Sequence, residues 1–62
     1  MITTNIENLR PGEYFKLKIN GCVYVRDYYN RFTKKYGYTK FDDINAYYEK
    51  KRGSKVIVDF DF

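Results

Sequence analysis

Histidine is absent from these 62 residues, cysteine occurs once, at Cys22, and proline once, at Pro11. Without histidine no side chain has an ordinary pKa that suits a general base near neutrality. Cys22 lacks the histidine partner of a thiol nucleophile, and the few hydroxyl residues fall in no nucleophile motif. One cysteine excludes an intrachain disulfide, and with no histidine a structural zinc site is not expected. There is no Gly-rich phosphate cradle and no RRM ring spacing. No apolar run approaches the ~18 residues of a membrane span, and Met1 to Leu9 has neither the basic start nor the apolar stretch of a secretion signal. These absences lead us to expect a binding protein rather than an enzyme, with no cofactor, in a reducing cytoplasm.

What the chain has in excess is aromatic: eight Tyr and five Phe, with a formal charge of +4. A single domain over 1–62 buries only ~60% of its unfolded surface. So many rings therefore exceed what the core can hide, and a homo-oligomer is the expected means of support. The positive charge favours anionic partners modestly.

Punctuation divides the chain into short strands. Thr3 to Leu9 reads as an edge strand or one helical turn, and Arg10-Pro11-Gly12-Glu13 as a turn with Gly12 at positive φ. Glu13 to Ile19 alternates, with Phe15, Leu17 and Ile19 on one face and Lys16 and Lys18 on the other. Asn20-Gly21 signals a type I′ hairpin, and Cys22 to Tyr28 returns. A strict two-residue turn puts Tyr24 on the Phe15 face. We favour the opposite register, with Val23 and Val25 inside and Cys22, Tyr24 and Arg26 outside, although a lone cysteine in a strand is more often buried. Tyr29 to Lys35 reads as a connecting loop and Tyr36 to Phe41 as a strand bent or bulged at Gly37. Residues 43–52 fit either a short helix capped by Asp42 or a fourth strand, and Lys55 to Phe62 carries a Val56/Val58/Phe60/Phe62 stripe. The expected fold is all-β, with that one alternative helix: a small SH3-like barrel or rolled antiparallel sheet of four to five strands.

Leu9-Arg10-Pro11-Gly12-Glu13-Tyr14-Phe15, Val23-Tyr24-Val25-Arg26, Lys40-Phe41-Asp42-Asp43-Ile44-Asn45 and Val56-Ile57-Val58-Asp59-Phe60 together resemble small proteins carried by phages and mobile elements of gut Bacteroidales. The opening turn also resembles that of SH3-like barrels. The first resemblance implies an accessory role inside an infected bacterium, such as antagonism of host defence by sequestering a nucleotide signal or covering a host protein. It carries no site residues.

The candidate ligand-binding set is Arg26, Tyr28, Tyr29, Arg31, Lys34, Lys35, Tyr36, Tyr38 and Lys40. Rings offer stacking platforms and cations neutralise phosphate, as an anionic nucleotide-like ligand or a nucleic acid requires. The same tyrosines also suit a host-protein interface, and cross-strand packing with a solvated basic loop is an equally weighted bland reading. Asp42 with Asp43, or Asp59 with Asp61, offer oxygen ligands for Mg²⁺, but read better as turn chemistry and a solvated strand face.

Overall fold

The computed structural model describes residues 2–60, Ile44 by its backbone alone. Six strands form one curled antiparallel sheet, a half-barrel: β1 (Ile2–Asn5), β2 (Tyr14–Lys16), β3 (Val23–Asn30), β4 (Lys35–Lys40), β5 (Asp43–Lys51) and β6 (Lys55–Val58). Their spatial order is β1-β6-β2-β3-β4-β5. The all-β rolled sheet is thus as expected, with one strand more. The helix alternative over 43–52 is overturned, because β5 pairs with β4 from Lys35↔Lys51 to Thr39↔Tyr47. That pairing stacks Tyr48 on Tyr38 at 5.5 Å between ring centroids, which outweighs the local capping signal at Asp42. The extra strand comes from the N-terminal segment, which is both things weighed for it: β1, then a 3-10 turn at Ile6–Asn8.

The curl is a matter of reach. Four strand spacings separate β5 from β6, about 19 Å if the sheet were flat. The four Cα steps from Lys51 to Lys55 span at most about 14 Å. The sheet must therefore roll, and the 3-10 turn fastens it. Ile6 N–H donates to Ser54 O at 2.9 Å, Gly53 N–H donates to Glu7 Oε1 at 2.8 Å, and Arg52 Nε lies 3.8 Å from Glu7 Oε2.

Rolling gives the sheet an inner face. Ile6, Leu9, Phe15, Tyr38 and Val56 are buried there, with Leu17, Tyr24, Tyr36 and Val58 packed against them. Phe15 is fully enclosed, stacking on Tyr24 at 5.8 Å and meeting Tyr38 edge-on at 5.3 Å. Burying a ring of that size stabilises by about 1.5–3 kcal/mol.

The register favoured from the sequence is wrong. Phe15 lies opposite Tyr24 and Lys16 opposite Val23, so Tyr24 and Arg26 face inward and the valines outward. The turn also sits one residue early: Gly21 N–H donates to Lys18 O at 3.1 Å. Neither Asn20 nor Gly21 takes positive φ, so this is not the expected I′ turn. Such a turn would set Phe15 opposite Arg26, and the Phe15–Tyr24–Tyr38 ring contacts outweigh that local preference. An unprimed turn splays its strands, which fits β2 ending at Lys16 and leaves Ile19 and Cys22 exposed.

Between Arg26↔Tyr38 and Tyr29↔Tyr36 two β3 residues, Asp27 and Tyr28, face one β4 residue, Gly37. The irregularity expected at Gly37 thus lies opposite it, as a bulge in the partner strand. It also carries β3 on to Asn30, so the expected 29–35 loop shrinks to Arg31–Lys34. Asp59, at φ +57, breaks the last stripe. Phe60 instead lies 4.7 Å from the Nζ of Lys16, a residue of the outer face; Phe62 is outside the described residues.

Candidate functional site

The β3–β4 hairpin tip is a fixed structure. Asn30 Oδ1 accepts from Phe32 N–H at 2.9 Å and Thr33 N–H at 3.4 Å, an Asx turn. Its Nδ2 donates to Glu49 Oε2 at 3.0 Å, the same oxygen that receives Thr33 Oγ1 at 3.2 Å and the Tyr47 hydroxyl at 3.3 Å. Glu49 on β5 thus fastens the loop to the sheet. Burial and that neighbouring carboxylate hold the Tyr47 phenol above its ordinary pKa.

Pairing then assembles the surroundings. On the inner face the row across the sheet is Tyr29, Tyr36, Lys50; on the outer face it is Asn30, Lys35, Lys51. Lys35 and Lys51 stand directly opposite one another, an arrangement that is normally destabilising. With Arg31 and Lys34 in the loop, five cations gather at this end of the sheet. Glu49, a carboxylate among them, is occupied by three hydrogen bonds. An open cleft of about 670 Å³ lies there, lined by Tyr29, Asn30, Arg31 and Phe32. Lys34 holds φ +58, a left-handed conformation that glycine would adopt with less strain.

Arg26 lies beneath this end, only 5% exposed. Its guanidinium carbon is 4.5 Å from the Tyr36 ring centroid, and Tyr36 meets Tyr29 at 4.7 Å. Nη1 donates to Asp27 O, but Nε is buried without an acceptor among the described residues. Burial pulls the guanidinium pKa below its ordinary value, and Tyr36, Asp27 and Glu13 partly offset this.

The sequence-derived set is therefore divided. Tyr29, Arg31, Lys34, Lys35 and Tyr36 share the tip. Arg26 and Tyr38 belong to the interior rather than to an exposed stacking surface, and burial, then Tyr24 and Tyr48, raises the pKa of the Tyr38 phenol. Tyr28, 74% exposed, stands on the bulge. Lys40 lies at the far end of β4, where Cys22 and Asp42 push its ammonium pKa up. Phe32, Lys50 and Lys51 were not anticipated. Only the β4–β5 register brings the two lysines here, and a Phe in a polar loop gives no periodic signal. Of the carboxylates read as turn chemistry, Asp42 falls in the turn before β5, while Asp43 begins that strand, its Oδ1 accepting from Asn45 N–H at 3.1 Å. No helix among the described residues is long and apolar enough to cross a membrane. No protein-family model, curated protein or solved structure matches this chain.

Proposed function

We propose that this chain is a non-enzymatic binding protein whose basic, aromatic-lined sheet end captures an anionic, nucleotide-like ligand. The observation that carries the reading is an open cleft with rings on its wall and five cations around it, two of them forced opposite each other. A bound phosphate would relieve the Lys35–Lys51 repulsion and occupy the charge that Lys34 brings to a strained position. The cleft volume lies within the usual small-ligand range of about 300–1,000 Å³. In the phage setting implied by the sequence resemblance, such capture would sequester a host signal in the bacterial cytoplasm. The nine-residue edge strand β5 offers a surface for the homo-oligomer expected of so small a core.

Calorimetric titration with ATP and with a cyclic dinucleotide tests this. Lys34→Ala/Lys35→Ala should weaken binding at least several-fold, and raising salt should weaken it further. Unchanged affinity in the double variant would remove the basic tip from the site. The exposure of Tyr28 and Phe32 favours a second reading, an interaction protein that covers a host protein; such a contact would depend little on salt.

A further inference from the structure

Phe32 is 99% exposed, yet its loop is held by Asn30 and Glu49. A fully solvated ring contributes nothing to the core, and a pinned loop keeps it where it is. It stands at the crest of the tip. Lys50 and the Tyr29–Tyr36 pair lie on the inner side, while Lys35 and Lys51 lie on the outer side. A mononucleotide, with one base and one phosphate cluster, would engage only one of these sides. A flexible polyanion crossing the crest would place phosphates on both, lay one base on Phe32 and seat another against Tyr29 in the cleft.

We infer that the ligand class is single-stranded nucleic acid several nucleotides long, with Phe32 as a stacking residue. This rests on the anionic-ligand reading above and narrows it. Stacking needs an open base face, so the same sequence as a duplex should bind less well.

The test is fluorescence anisotropy with a fluorescein-labelled twelve-nucleotide oligo(dT), with dTTP as competitor and the matching dA·dT duplex as a second probe. The oligonucleotide should bind at least about tenfold more tightly than dTTP. Phe32→Ala should weaken oligonucleotide binding about 5- to 150-fold, the range for losing one stacked base, and Phe32→Tyr should restore most of it. Because the ring makes no core contact, the melting temperature of both variants should match wild type. Lys51→Ala should reduce the log–log salt slope by about 0.7. If dTTP binds as tightly as the oligonucleotide, or Phe32→Ala binds like wild type, the inference falls and the nucleotide reading stands. If neither the oligonucleotide nor dTTP binds, the inference falls, and the anionic-ligand reading falls with it when ATP and the cyclic dinucleotide also fail to bind.

Discussion

Gly37→Ala should destabilise the wild-type protein, but stabilise it once Tyr47 is removed. A Cβ at Gly37 would lie 3.0 Å from Cε1 and Cζ of Tyr47, with the phenol oxygen closer still. Carbon atoms prefer 3.5–4.0 Å. Gly37 is paired to Glu49 on one side and faces the β3 bulge on the other, so the ring must move. Tyr47 is 49% exposed and can swing into solvent. In doing so it gives up about 1 kcal/mol of packing, half the value of a fully buried ring. It also loses a hydrogen bond to Glu49 worth about 0.5–1 kcal/mol at an exposed site. Against this, alanine gains about 0.5–1 kcal/mol over glycine within a strand. The balance is a loss of about 1 kcal/mol, or about 4–8 °C in a domain of this size. In a Tyr47→Ala background only the alanine gain remains, so the sign inverts and the coupling is about 1.5–2 kcal/mol. Circular-dichroism melts of the four proteins decide the matter. If Gly37→Ala raises the melting temperature in both backgrounds, Tyr47 does not lie over Gly37.

Two further outcomes follow from buried or clamped charge. Arg26→Met removes a desolvated cation while keeping its length, so stability should stay within about 1 kcal/mol of wild type or rise, whereas Arg26→Ala leaves a void and should cost about 2 kcal/mol or more; urea titrations giving equal losses would show that the charge itself is required. The Glu7 carboxyl is held below its ordinary 4.5, chiefly by the Gly53 N–H, so its contribution is full above that value and is lost as pH falls through the lowered one. The stability gap between wild type and Glu7→Gln should therefore narrow as pH drops from about 6 to about 3, and a constant gap would mean that this clamp does not hold the carboxylate.

Much of the fold could be read locally. The Phe15/Leu17 alternation marks an inner face, Gly12 and Gly53 take the positive φ their turns require, at +95 and +89, and Gly37 sits opposite the bulge in β3. The errors share one cause. The Asn20-Gly21 turn and the helix alternative at 43–52 both rest on nearest neighbours, and ring contacts across paired strands override both: Phe15 with Tyr24, and Tyr38 with Tyr48. The site was legible as a composition but not as a place. Arg26 reads as a surface cation because nothing local fixes the β2–β3 register that turns it inward with Tyr24. Lys50 and Lys51 fall in a stretch that reads as helix or strand until the β5 register sets them beside Tyr36 and Lys35.

The position of β6 between β1 and β2 has a consequence for how the chain is made. Hairpins between sequence neighbours can build β2 through β5 as they appear, since each closes a short loop. Ile2, by contrast, lies opposite Val58, and Ile6 needs Ser54 as its acceptor. Val56 is also one of the buried core residues. Until residues 55–58 have left the ribosome, the first strand has no partner and the face holding Phe15 and Tyr38 stays open. Folding of the sheet therefore waits for β6, and until that strand is available the chain carries an uncovered aromatic bowl.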